Sequence, residues 1–459
     1  MEIFDKKGQS VGRMMTNAPM PDLSGVSTSG VGTLVDTQYI TSVQHNGGYG
    51  SVRFGQAGDS ADAHHFDYKL VDRNDYPSVK AQAAAGVAKN RQLDPDYHTP
   101  RLDKLVTEVA PIPMTSAGME PRTYEDKERF TAFVRTGSGT QWTRDQDGTN
   151  RYLSGPYRYL TGGSPLSPSQ SRYSWLDAES SVYESTQGPL ATYGAPGDSG
   201  SPLLVYDKQQ NRWVTLAVLN FYLGDKGKKN ISAISRPEFL LQQQNEDIGA
   251  NISNSVNNGV FNWTAEGNTS TVSNPADANT PYRVGLTDAA QKTNDTSKSR
   301  PSLNHGKSVI FSGNRGTLHL QSDINQGAGA LKFDTDFAVT GKDANTTWLG
   351  AGVDIAKGKT VQWQVHNPNG DRLSKIGEGT LRVNGQGKNQ GSISVGDGTV
   401  VLAQRADANG EKQAFSSVGI VSGRATVVLE SADQVNPDNI YFGFRGGRLD
   451  VNGNDLTFN

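Results

Sequence analysis

The chain has 459 residues, too many for one ordinary core and enough for about two to four domains. A net charge of −3 and a pI near 6.2, with no basic run interleaved with aromatics, exclude a polyanion-binding surface, so no nucleic-acid partner is expected. No run of about 18 apolar residues occurs, which excludes a transmembrane helix, and the absence of cysteine excludes disulfides, thiolate metal sites and cysteine nucleophiles.

The opening Met1-Glu2-Ile3-Phe4-Asp5-Lys6-Lys7 runs straight into a charged, strand-like segment, with no signal peptide. A chain without cysteine nevertheless suits export, because nothing can cross-link on the way through a narrow pore. Residues 1–248 show short alternating runs broken by Gly, Pro, Asn and Asp. The clearest strands are Val31–Val35, Tyr39–Val43, Phe130–Val134, Pro202–Tyr206 and Trp213–Val218. Such spacing suits antiparallel barrels or sandwiches. A helix closes the region: Ser235 and Glu238 have capping-box spacing, Pro237 lies in the first turn, and Phe239, Leu240 and Leu241 give an apolar face.

Residues from about 247 to 302 are rich in Asn, Ser and Thr and read as a transition zone, with Asn262-Trp263-Thr264 as its one clear strand. From Val309 onward very short strands bounded by Gly or Asn follow one another, and Leu331, Leu381, Val401 and Val428 are spaced near multiples of the low twenties. Coils of a parallel β-helix have that period, and 249–459 are assigned to one, with a β-sandwich as the alternative. The expected fold class is therefore all-β.

One loop carries chemistry. Gly197-Asp198-Ser199-Gly200-Ser201-Pro202 has the form of the nucleophile loop of a chymotrypsin-like serine protease. A serine hydroxyl needs a base beside it and backbone N–H groups aimed at the developing oxyanion. Ser199 is the candidate nucleophile, and the N–H groups of Gly197 and Ser199 are the candidate oxyanion hole. A Gly/Ser/Asp surface turn is the bland alternative.

Of the seven histidines, only His45 directly follows a strong strand and enters a glycine-rich bend. His64, His65 and His98 read as solvated, and His305, His319 and His366 as satisfied or surface residues of the repeats; no pair has metal-ligand spacing. The acid must lie between His45 and Ser199 and open a strand. Asp96 fits, and Asp72 and Asp75 compete with it. The segment Val218-Leu219-Asn220-Phe221-Tyr222 follows the nucleophile loop, and Asn220 and Phe221 are candidate substrate-binding residues, although core packing explains Phe221 nearly as well.

Taken with the Asp96-Tyr97-His98 segment, His45-Asn46-Gly47-Gly48-Tyr49 and Tyr193-Gly194-Ala195-Pro196-Gly197-Asp198-Ser199-Gly200-Ser201-Pro202 resemble the serine protease autotransporters of Enterobacteriaceae. Arg135-Thr136-Gly137-Ser138-Gly139-Thr140-Gln141, Gly377-Glu378-Gly379-Thr380-Leu381 and Gln434-Val435-Asn436-Pro437-Asp438-Asn439 extend the likeness over nearly the whole chain. The resemblance implies a chymotrypsin-like double β-barrel protease domain followed by a right-handed parallel β-helix, and it assigns the triad to His45, Asp96 and Ser199. It further implies a secreted endopeptidase that cuts host proteins such as spectrin or plasma proteins, without metal or cofactor. Passage to the outside would run through the periplasm and the precursor's own C-terminal outer-membrane translocator; a monomer is expected. That family's leader and mature N-terminal segment should precede Glu2 and are missing, as are the distal β-helix and the translocator. The chain therefore reads as the front part of a passenger, impaired in catalysis if the lost segment supports the first barrel.

The run Val79 to Leu93 is read either as an active-site rim loop or as a short surface helix. Two rivals to proteolysis stand: an adhesin whose β-helix binds while its protease-like domain is inactive, and a β-helical polysaccharide depolymerase, which needs a carboxylate pair in the repeats.

Overall fold

A computed structural model of the chain describes residues 2–459 except 6, 14–15, 48, 56–65, 138–140, 145, 154–162, 165, 180–183, 190–193, 195, 224–228, 287–305 and 444. The fold is all-β, as expected from the glycine-bounded alternating runs. In the first half, one sheet orders its strands Thr33–Asp36, Tyr39–Thr41, Arg101–Leu102, Tyr68–Asp72, Ser51–Val52. A second, larger sheet orders Gly163–Ser164, Phe130–Arg135, Pro202–Asp207, Arg212–Leu223, Lys229–Ile234, Trp175–Glu179, Ser169–Arg172, with antiparallel pairing throughout.

Each sheet closes over its own core. Leu34, Ile40, Phe54, Tyr68, Leu70 and Leu102 fill the first, and Phe130, Phe133, Leu203, Val205, Val214 and Leu216 the second. A seam of Val35, Tyr39, Val43, Tyr97, Val218 and Ala233 joins the two and takes up Phe239 and Leu240 of the helix Pro237–Asp247. That helix begins one residue later than the capping-box spacing predicts. Arg236 holds the N-cap position, and the Ser235 hydroxyl donates to the Thr215 carbonyl at 2.8 Å.

The Asn-rich zone is not a transition. Strand Ile248–Asn254 follows the helix at once and pairs in parallel with Ser308–Gly313, and Gly259–Glu266 pairs in parallel with Gly316–Leu320. Thr269–Ser273 and Tyr282–Gly285 then extend the sheet as antiparallel strands, so polar composition concealed three strands besides the expected one at Asn262–Thr264, and all four alternate inward and outward. Beyond them the parallel β-helix runs in register. One inward ladder is Val309, Leu331, Val353, Lys375, Val395, Ile420; another is Leu318, Val339, Trp363, Val383, Leu402, Leu429. Phe311, Phe333 and Phe337 stack within it, with centroids of Phe311 and Phe337 4.5 Å apart.

Lys375 breaks the apolar ladder. Its Nζ donates to the carbonyls of Gly377, Gly379 and Asp397 at 2.6, 2.6 and 2.7 Å, so a buried ammonium satisfies three carbonyls at a coil corner. Burial lowers its pKa to about 8.

The first barrel rests on the flank of the β-helix. Arg101, fully buried, donates to the carbonyls of Gly306 and Ala328 and faces Asp247 at 3.6 Å, and Asp247 accepts from the Tyr39 hydroxyl at 2.6 Å. Lys104 reaches the Gly350 carbonyl and Asp371, and Thr107 meets Ser394. These contacts hold the barrel against several successive coils.

Candidate active site

The loop 197–200 is shaped by two glycines with positive φ, +98° at Gly197 and +85° at Gly200. At Gly200 a side chain would also collide with the Ser42 hydroxyl and the Val31 carbonyl, so only glycine lets the loop approach the first barrel this closely. Gly200 N–H donates to the Leu219 carbonyl at 2.7 Å, and Ser201 and Leu219 also exchange a hydrogen bond, which pins the loop to the strand Arg212–Leu223. Asp198 is buried beneath the turn, against Gly137, where any Cβ would meet its carboxylate. Ser199 is left partly exposed at the tip.

His45 ends the segment after Tyr39–Thr41 with its ring half-exposed. Asp96 grips it twice: Oδ1 accepts from the His45 backbone N–H at 2.9 Å, and Oδ2 lies 2.7 Å from Nδ1. A carboxylate at Nδ1 fixes the tautomer that leaves Nε2 as the basic nitrogen. Asp96 does not open a strand as expected; the segment touches the barrel through two bridges at His98, to Ser42 and to Asp75, before the strand Arg101–Leu102. The competing acids lie elsewhere. Asp72 is buried in its strand, and Asp75 faces His98 and Arg73.

The two loops meet through Asn46, whose Nδ2 donates to the Ser199 carbonyl at 2.6 Å. Sequence reasoning passed over this residue, although its place directly after His45 was the available signal. Asn220 donates from Nδ2 to the Asp96 carbonyl at 2.7 Å, and Phe221 lies edge-on to Trp175 at 5.4 Å. Asn220 therefore has a supporting contact with the acid besides any part in binding.

His98 is not a surface residue. It is fully buried, its Nε2 is 2.6 Å from the Tyr49 hydroxyl, and desolvation drives its pKa down to about 4. His319 bonds Thr340 and His366 bonds the Gln386 carbonyl, so both repeat histidines are satisfied; His64, His65 and His305 lie outside the described residues. Residues 79–93 form the short surface helix Val79–Ala84, capped by Ser78, then a helical turn at Lys89–Arg91, fastened by Gln82 to the Pro77 and Leu93 carbonyls.

A double-barrel fold with a serine loop facing a histidine–carboxylate pair, mounted on a parallel β-helix, defines the class: a chymotrypsin-like protease fold in an autotransporter passenger. The family model of the immunoglobulin A1 protease, peptidase S6, matches residues 1–238, and the chain belongs to that family. It is 42% identical over its full length to an adhesion and penetration protein autotransporter of Haemophilus influenzae, covering 34% of that protein. It is 42% identical to an IgA-specific serine endopeptidase autotransporter of Neisseria gonorrhoeae, covering 30% of it. The chain thus spans about a third of the length of the curated relatives it matches.

Among solved structures, the Haemophilus influenzae Hap adhesin aligns with a TM-score of 0.85 at 38% identity, over 98% of this chain and 49% of that one. The passenger domain of the plasmid encoded toxin of enteroaggregative Escherichia coli aligns at 0.66 and 21% identity, over 98% of this chain and 42% of that one, a likeness of fold. The resemblance to serine protease autotransporters read from the sequence is thereby borne out, and the expected location outside the cell agrees with relatives that are autotransporters.

Proposed function

We propose that the chain is the proteolytic part of a secreted passenger, with residues 1–248 as the protease domain and 249–459 as the β-helix that carries it, and that it cuts peptide bonds in host proteins. Support comes from a single constellation: the 2.7 Å contact of His45 Nδ1 with Asp96, on a loop whose next residue holds Ser199. Ser199 attacks the substrate carbonyl while His45 Nε2 takes its proton; Asp96 keeps the ring oriented and stabilises the imidazolium. The N–H groups of Gly197 and Ser199 receive the oxyanion, and the protonated His45 then delivers its proton to the leaving amine. Water releases the acyl group from Ser199 by the reverse relay. Asn220 and Phe221 flank the substrate on the neighbouring strand. Relatives named as an immunoglobulin A1 protease and an IgA-specific endopeptidase support host proteins as the substrate class. The working form is a monomer, released through the precursor's own outer-membrane translocator.

Labelling with a serine-directed fluorophosphonate tests the proposal. The native chain should label and Ser199→Ala should not; equal labelling of both, or of neither, refutes proteolysis by this chain.

A binding role is the second reading, supported by the similarity to a solved adhesin and by a polar groove of about 560 Å³ on the β-helix, lined by Asn258, Arg315, Thr317, Asp336, Thr360 and Gln362. Retention of host-surface binding by Ser199→Ala, and its loss on Thr317→Trp in the groove, would establish that role.

A further inference from the structure

His45 and Asp96 use only part of the ionisable chemistry buried beside the site. Behind the His45 loop lies a second set: Arg73, Asp75, His98 and Tyr49. The Arg73 and His98 side chains are 6% and 0% exposed and that of Asp75 is 13% exposed, so two ionisable groups and a neutral imidazole have been withdrawn from water together. Such burial is costly unless each group is matched.

The matching has a direction. Desolvation keeps His98 neutral at pH 7 and keeps the Tyr49 phenol protonated by raising its pKa. The Asp75 carboxylate faces His98 Nδ1 at 3.4 Å and so favours the tautomer protonated at Nδ1, which leaves Nε2, 2.6 Å from the Tyr49 hydroxyl, to accept the phenolic O–H. Asp75 faces Arg73 Nε at 3.7 Å, and Arg73 lies over the Tyr49 ring at 5.6 Å. The set ends on backbone. Arg73 Nη2 donates to the Gln44 carbonyl at 3.2 Å and to the Asn46 carbonyl at 3.3 Å, the two residues that flank His45.

Two further connections tie this set to the chemistry. His98 is two residues beyond Asp96 and exchanges both backbone hydrogen bonds with Ser42, three residues before His45. Asn46, held at its carbonyl by Arg73, uses its side chain to hold the Ser199 carbonyl. One guanidinium thus fixes the segment from which the base projects and to which the nucleophile loop is attached.

We infer that Arg73, braced by Asp75, His98 and Tyr49, is a positioning residue that sets the His45 imidazole against Asp96 and, through Asn46, the Ser199 loop against both. The inference rests on the proteolytic reading for its consequence in rate, and on the His45–Asp96 contact for its consequence in structure. A purely stabilising network would lower the melting temperature when cut and leave the surviving folded molecules with a native site. A positioning network alters the site in molecules that remain folded.

The test uses the full chain with 15N-labelled histidine, comparing native protein, Arg73→Met, Arg73→Lys and Tyr49→Phe. In the native protein the His45 Nδ1–H, 2.7 Å from Asp96 Oδ2, should give a low-field proton resonance. Arg73→Met should lose or broaden it while the sheets remain folded by circular dichroism, and Arg73→Lys should restore it in part. With fluorophosphonate, the maximal inactivation rate of Arg73→Met should fall about 10- to 100-fold with the reagent's half-saturating concentration unchanged, the scale expected for misplacement of reacting groups. Tyr49→Phe deletes one oxygen and should lower that rate about threefold, as the loss of one net hydrogen bond. If Arg73→Met does not fold, Tyr49→Phe decides the matter. A folded Arg73→Met or Tyr49→Phe protein with the native His45 resonance and the native inactivation rate overturns the inference. A native chain that does not label at all refutes proteolysis instead, and the histidine resonance then decides the positioning role alone.

Discussion

The two halves of the molecule bury their residues on opposite plans. In the β-helix, each inward position repeats from coil to coil, so Leu318, Val339, Trp363, Val383, Leu402 and Leu429 perform one task six times over. In the barrels no position repeats. His45, Asp96 and Ser199 come from three separate stretches, and their meeting depends on single contacts such as that of Asn46 with the Ser199 carbonyl. Repetition makes a scaffold whose parts are interchangeable in kind, whereas the site depends on contacts with no duplicate.

Substitutions can break that contrast. Ser199→Ala should show the largest effect, a loss of about 10⁶-fold in turnover of a peptide substrate with an unchanged melting temperature. Asp96→Asn should cost about 10⁴-fold by leaving His45 in the wrong tautomer, again without unfolding the β-helix. Trp363→Ala, by contrast, opens a cavity in the coil core at a residue that is 1% exposed and should lower stability by about 4 kcal/mol in a denaturant titration, with normal turnover in the folded fraction. Arg101→Met lies on the border between the halves. It deprives buried Asp247 of its nearer cation and should cost about 3 kcal/mol, and if the halves unfold as one unit both barrel and coil signals should shift together.

The last expected effect is one of pH, spread over more than two pH units, and it sharpens the contrast from the β-helix side. Lys375 has a folded pKa of about 8 against an ordinary 10.5, so between those values the unfolded chain binds the proton that the folded chain has released. Its contribution to stability should therefore rise with pH across that window and be least below pH 8. Unfolding measured against Lys375→Met should show the native protein gaining on the variant as pH rises from about 8 to 10.5; a flat difference would contradict this.

The same contrast explains what could be read without coordinates. The repeats of Val309 onward were legible because glycine-bounded apolar triplets recur, and the tight loop at Gly197 to Gly200 because its glycines are required by its shape. The strands at Ile248–Asn254 and Thr269–Ser273 were hidden, since parallel pairing to a later coil supplies the stability that Asn, Ser and Thr do not. His98 was misplaced for a related reason: the groups that bury and bond it, Tyr49 and Asp75, come from other parts of the chain. Asp96 could be separated from Asp72 and Asp75 only by family likeness, because burial and partnership, not spacing, distinguish the three.

The docking of the first barrel has a kinetic consequence. Coil contacts in the β-helix close loops of about two dozen residues, which form early, but Arg101 and Lys104 wait for carbonyls at Gly306, Ala328 and Gly350. The seat of the barrel is written in the half of the chain that follows it, so a partly emerged or partly folded chain has the residues of the proposed triad without the platform beneath them. Sequence separation here acts as a delay.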